Sequence, residues 1–339
     1  MPYQSVFLRR YSKFLCVLTL FLIFLGALVK STESGLSVPD WPTTYGKFMF
    51  AYPLDKMAGG IKYEHTHRML ASIIGLMTLI LSVWLLRQKK MARWIKRLGL
   101  FAFLTVVVQG ILGGLTVKFF LPVWLSTFHG VLAQTFFLIV IFIAYAVSIE
   151  RQHRWNLEEE SYTPQFMQSA ILLLALVYIQ LIIGNIMRHS QAGLAVPDFP
   201  TMGWTFLPGF HQAWLDKINA WRFENNLDPV NWSQVTIHLL HRFWAFLILL
   251  QMLWLNQVAY KECLKRPMIL KTLYWLNIAV VLQITFGIST LISRKEVYTT
   301  TTHVTMGAVV LALSFLMVLR ASPLTWHQFL RLWQRRANV

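Results

Sequence analysis

Eight times along this chain, polar residues give way to apolar runs of about twenty, near 12–31, 67–86, 98–118, 126–148, 166–187, 236–258, 271–292 and 301–320. A bilayer core about 30 Å thick is crossed by about 20 apolar residues of helix. Each run therefore predicts one crossing, and the fold class is an all-α integral membrane protein with eight transmembrane helices.

The polar breaks carry an orientation. Basic residues gather as Arg9, Arg10 and Lys13; as Arg87, Lys89, Lys90, Arg93, Lys96 and Arg97; as Arg151 and Arg154; as Lys261, Lys265, Arg266 and Lys271; and as Arg320, Arg331, Arg335 and Arg336. They occupy the N-terminus, every second connection and the C-terminus. By the positive-inside rule, both termini are expected to be cytoplasmic. Composition agrees, with 56% hydrophobic and 13% charged residues, against about a quarter charged in soluble domains. The net charge of +17 is spread over loops rather than gathered on one face, which excludes a nucleic-acid partner. The first run is full length with no small-residue cleavage site, and no Arg- and Ser-rich transit segment precedes it. A bacterial cytoplasmic (inner) membrane is the expected location. Two cysteines, Cys16 and Cys263, give no disulfide framework.

The chain also repeats itself. "SGLSVPDWP" at 34–42 returns as "AGLAVPDFP" at 192–200, an offset of 158 from Gly35 to Gly193. His67-Arg68 returns as His241-Arg242, and Gln109, Gly113 and His129 return as Gln283, Gly287 and His303, all at an offset of 174. The extra residues fall in the outer loop containing "HQAWLDKINAWRFENN". Four helices per copy is an even number, so the copies enter the membrane with the same orientation, a parallel repeat. Two four-helix bundles are expected, at 1–150 and 165–339, joined by a solvated cytoplasmic linker at 151–164. The GLxVPDxP segments, rich in Gly and Pro, read either as folded caps over the bundle mouths or as direct ligand contacts.

His67, His129, His241 and His303 each lie near the start of a helix running from outside to inside, at one depth near the outer face. A histidine in a membrane segment is costly and marks function. One alone could be a buried polar tie between helices, but four at one offset argue against that. Two facing imidazoles per bundle suit the axial positions of a haem iron, whereas zinc asks for a third or fourth ligand. Arg68 and Arg242, beside the ligands, are candidates to hold haem propionates. His65 has Leu239 as its counterpart and reads as interfacial; His189 could line the outer cap. His153, His211 and His327 read as solvated.

The halves differ at one telling position, where Glu64 of the first is matched by His238 of the second. Glu64, one turn before His67, could accept a proton or stabilise positive charge beside a haem, or be a solvated first-turn residue. His238 could serve as a second-shell imidazole. One haem could then be substrate and the other a fixed cofactor.

"ESGLSVPDWP", the E-x-x-H-R pattern at Glu64–Arg68, His129 and the duplicated His241/His303 pair together resemble the haem A synthase family over nearly the whole chain. The resemblance implies oxidation of the C8 methyl of haem O to the formyl group of haem A, which serves haem-copper oxidases. It implies that His67 and His129 hold the substrate haem with Glu64 catalytic, and that His241 and His303 hold a resident haem b. Many bacterial members carry two cysteines near the places of Val38 and Thr44, so a dithiol step is not expected here. Haem O synthase is the expected partner, a homo-oligomer is compatible, and the electron donor is left open. The alternatives are a di-haem b electron-transfer cytochrome and a haem chaperone or exporter. Side-by-side haems at one face disfavour a carrier across the bilayer.

Overall fold

The computed structural model describes residues 5–156 and 164–322. It holds ten α-helices and, among the described residues, no strand beyond an isolated bridge between Thr44 and Lys47. Eight are long and apolar enough to cross a membrane: α1 (Val6–Ser31), α2 (Gly60–Arg87), α3 (Arg93–Lys118), α4 (Val123–Ala146), α6 (Pro164–His189), α8 (Trp232–Glu262), α9 (Pro267–Ile292) and α10 (Val297–Ala321). The other two are α5 (Ile149–Asn156) and α7 (Gln212–Glu224).

Helix starts follow local chemistry. Asn231 and Gln234 form a reciprocal capping box at the head of α8, which satisfies two backbone donors that the first turn leaves free. Pro267 opens α9, where a missing N–H costs nothing. The exposed Glu296 accepts from the amides of Tyr298 and Thr299 at the head of α10; those bonds hold its carboxyl below the usual glutamate range. Helix α2 begins seven residues ahead of its apolar run, so Glu64, His65 and Arg68 are helical from the outset.

Helices α1 to α4 close into a ring, each packed on the next and α4 back on α1. Leu8, Leu15, Ile74, Leu81, Ile95, Phe136 and Ile143 fill its middle. In the second half α8 packs on α6, α9 on α10 and α10 on α6, around Phe166, Leu173, Met252, Leu255, Leu276 and Met317. Contact between α8 and α9 is slight, and the pair is tied by Asn256 and Asn277 exchanging amide hydrogen bonds of 2.9 and 2.8 Å. The seam between the halves is made by α1 on α10 and α4 on α6 and α10. Thr135 and Tyr178 meet across it at 2.6 Å.

The stretch read as a solvated linker starts in helix α5, with Gln152 buried. Just ahead of it Glu150 takes a two-pronged ion pair from Arg320 of α10, at 2.7 and 2.6 Å, so this connection is docked against the second half. Residues 157–163 lie outside the described residues, as do His327, Arg331, Arg335 and Arg336.

Candidate functional site

Between α1 and α2, and again after α6, the VPD segments fold into matching loops. Asp40 accepts from the Thr43 hydroxyl (2.5 Å) and from the amides of Tyr45 (2.7 Å) and Gly46 (2.9 Å). Asp198 does the same for Thr201 (2.5 Å), Gly203 (2.6 Å) and Trp204 (2.7 Å). A carboxylate receiving three donors organises a turn whose backbone would otherwise lack partners. Partial burial pushes both carboxyls upward, but the hydrogen bonds outweigh it and hold them below the usual aspartate value of 3.8. A carboxyl lowered in the folded state adds stability above its unfolded value and loses it as pH falls through the folded one. Both loops should therefore loosen only in strong acid, below about pH 4. Asp40→Ala should weaken the first loop by about 2 kcal/mol, read as faster amide exchange at Tyr45 and Gly46 while the helix cores stay protected.

These loops are caps, gripped from below by arginine. Arg68 donates to the carbonyls of Asp40 (2.6 Å), Thr43 (3.4 Å) and Val38 (2.8 Å), and to Glu64 Oε1 (2.5 Å). Arg242 donates to the carbonyls of Asp198 (2.8 Å), Thr201 (3.3 Å) and Val196 (2.8 Å). Its Nε reaches His238 at 3.1 Å. A guanidinium has five N–H groups. With four engaged on each, a forked bond to a propionate is not available while the cap is seated.

Glu64 is buried, not solvated. Its Oε2 accepts from the Val38 amide at 2.8 Å and its Oε1 pairs with Arg68. The second half sets His238 between the equivalent donors, with Val196 N–H at 3.2 Å and Arg242 Nε at 3.1 Å. A neutral imidazole offers one lone pair, so it answers one of these donors where the carboxylate answers both. His65 is also buried rather than interfacial. Its Nδ1 lies 3.0 Å from the Thr44 hydroxyl and its ring packs on Tyr52, so it supports the first cap.

Behind the caps, His67 and His129 come close enough for their charges to interact, and so do His241 and His303. Each ring lies against a glycine of the neighbouring helix. A Cβ there would meet the imidazole Cε1 at 3.0 Å for Gly26 and His67, 3.1 Å for Gly113 and His129, 3.2 Å for Gly184 and His241, and 3.0 Å for Gly287 and His303. Four residues before three of these glycines stands a glutamine. Gln109 and Gln180 donate to the backbone carbonyls of His129 and His241, both at 3.0 Å. His303 Nδ1 lies 3.2 Å from the Gln283 carbonyl. The fourth position is Leu22, whose carbonyl faces the His67 ring but whose side chain has no donor.

Gln109/Gly113 and Gln283/Gly287 repeat at the 174-residue offset; Gly26 and Gly184 do not. The 158-residue offset relating Gly35 to Gly193 also relates Gly26 to Gly184 and Leu22 to Gln180, so the signal was present.

The donor chemistry fits a group that takes two imidazoles. The four rings are half-buried. Backbone carbonyls of Leu22, Gln109 and Gln283 face the rings of His67, His129 and His303, the kind of partner that orients a ligating imidazole. His241 keeps a buried Nδ1 without a hydrogen-bond partner. No cluster of three or more His, Cys, Asp or Glu able to hold a metal ion occurs among the described residues. Helix α7 lies over the second cap, with Trp214, Leu215 and Ile218 packed on Ala195, Val196 and Leu239. Its Arg222 bonds the Leu194 carbonyl at 2.7 Å, which gives the long loop between α6 and α8 a covering role.

Fold and site together define a multi-pass helical membrane protein with two matched loops, each beside a pair of neighbouring histidines. The family model for the cytochrome oxidase assembly proteins COX15-CtaA matches residues 9–315, and the chain belongs to that family. Among curated relatives, the heme A synthase of Pelagibacter ubique is 24% identical over 89% of this chain and 92% of its own length. That of Rickettsia canadensis is 23% identical over 96% and 98%, and that of Alkalihalophilus pseudofirmus is 26% identical over 60% and 67%.

Proposed function

We propose that this protein is a haem A synthase, which oxidises the C8 methyl of haem O to a formyl group for haem-copper oxidases. Relatives bearing that name support the reading. The observation that carries it is the difference beneath two otherwise matched caps: a buried carboxylate, Glu64, stands one turn from the first histidine pair, and His238 takes its place by the second.

His67 and His129 hold the substrate haem O, and His241 and His303 hold a haem b, which when bound supplies one-electron transfer. With water as the oxygen source, the substrate methyl becomes a hydroxymethyl group and then a geminal diol. Each step takes up one water and releases two protons and two electrons to an external one-electron acceptor, and the diol then loses water to leave the aldehyde. Glu64 accepts a proton from the reacting carbon or its hydroxyl, or stabilises positive charge there. For that it must part from the Val38 amide or Arg68, so cap and chemistry are coupled through one side chain. Arg68 and Arg242 act as cap anchors. The caps seal the outer mouths from water, and haem O is delivered from haem O synthase in the same bacterial inner membrane.

The test is expression beside a haem O-producing partner, followed by chromatography of extracted pigments. Haem A, or its hydroxymethyl precursor, is expected. Unchanged haem O alone would reject the assignment.

A further inference from the structure

Resting on the reading of two haem centres, we propose that Lys30 and Arg188, at the outer end of the seam between the halves, form the binding site for the porphyrin carboxylates. Each is the residue four positions after the glycine that cradles a histidine, Gly26 for Lys30 and Gly184 for Arg188. Four residues is about one helical turn, so each half carries a cation on the face of its histidine cradle, one turn nearer the cap.

The two cations meet at the seam. Arg188 Nη2 crosses from α6 to the Ala27 carbonyl (2.5 Å) and the Ser31 hydroxyl (3.0 Å) of α1, and Thr301 of α10 reaches the same hydroxyl at 3.1 Å. Lys30 and Lys295 are close enough to each other and to Arg188 for their charges to interact. Glu33 is the carboxylate that answers both lysines. It is bridged to Lys295 through Gln191, at 3.4 and 3.5 Å. Three half-buried cations thus face one carboxylate, and among the described residues Arg188 has only backbone and hydroxyl oxygens as hydrogen-bond acceptors. Gathering like charges away from water is costly unless an anion completes the group.

The position of this excess identifies the anion. Arg188 lies within charge interaction of His303, and the adjacent His189 lies within the same reach of His129. Arg188 therefore stands beside one histidine of the second pair, and the next residue in the chain beside one histidine of the first. Arg68 and Arg242 are held by cap carbonyls, so the seam offers the positive charge that two propionates per porphyrin require. Both porphyrins would then turn their carboxylate edges to this seam.

The test titrates haem-depleted, detergent-solubilised full-length protein with iron protoporphyrin IX and with its dimethyl ester, following the two-imidazole absorption spectrum. The wild type should bind the ester weaker than the acid by about tenfold or more, the loss of charge-assisted bonds. In Arg188→Gln, which removes the charge, that ratio should fall towards one, and Lys30→Gln should lower it in the same direction. Equal binding of acid and ester by the wild type would overturn the proposal whatever the variants do. A loss of stability in Arg188→Gln with an unchanged ratio would also overturn it and leave a seam tie. If neither porphyrin gives the two-imidazole spectrum, the haem-site reading falls and takes this proposal with it.

Discussion

Glu64→Gln is expected to cut conversion of haem O by at least about a hundredfold, the usual scale for removing a general base, while both histidine pairs remain able to bind. The substitution has a second effect that must be separated from the first. Glutamine can still accept from the Val38 amide, but it leaves Arg68 without its counter-charge. Breaking a buried ion pair by removing one partner costs about 3–5 kcal/mol, and Arg68 also holds three cap carbonyls. Cap loosening alone could therefore lower activity. Arg68→Lys is the control, because it gives up the forked grip on the cap carbonyls and keeps a positive charge beside the carboxylate. Both variants should expose the loop around Val38–Thr44 to protease to a similar degree. Glu64→Gln should lose far more conversion per bound substrate than Arg68→Lys. Equal losses would make Glu64 a cap residue and remove it from the chemistry.

The eight crossings were legible because length and apolarity are one-dimensional properties, written directly in the sequence. Directions around a helix were harder to read. Adjacent residues point about 100° apart, whereas residues four apart share a face. His67 and Arg68 therefore point to different neighbours. Arg68 shares a face with Glu64 and turns to the loop, while His67 turns to Gly26 of α1. Neighbourhood in sequence suggested a propionate partner; helical geometry made a cap anchor. The same rule rescues His65, three residues before Arg68 and beneath the same loop. The covering helix α7 was hidden for a different reason. Its residues mix polar and aromatic types on a short segment, and the face that matters appears only once the cap beneath it is folded. By contrast Asp40 and Asp198 were written in the motif itself, and their three accepted hydrogen bonds explain why that motif occurs twice.

The glycine cradles set up the second large effect. Gly113→Val should abolish stable binding at the first histidine pair, and Gly287→Val should do so at the second, each weakening affinity by about 10–100-fold or more, the range seen when groups that orient a metal ligand are disturbed. A Cβ at Gly113 stands 3.1 Å from the His129 ring and one at Gly287 stands 3.0 Å from the His303 ring. Alanine there would push the imidazole by a few tenths of an ångström. The branches of valine would enter the space the ring itself needs, and packed interiors have no slack to absorb them. Gly110 supplies the control, on the same helix as Gly113 and with nothing within 4 Å of its would-be Cβ. Its change to valine should leave both centres intact, since helix propensity alone favours replacing a mid-helix glycine by a few tenths of a kcal/mol. Absorption and electron paramagnetic resonance spectra of the purified variants would read the two-imidazole signal of each centre separately from turnover. A Gly287→Val protein that keeps the full signal of both centres would show that His303 binds nothing in the space this glycine leaves, and the second centre would have to be sought elsewhere.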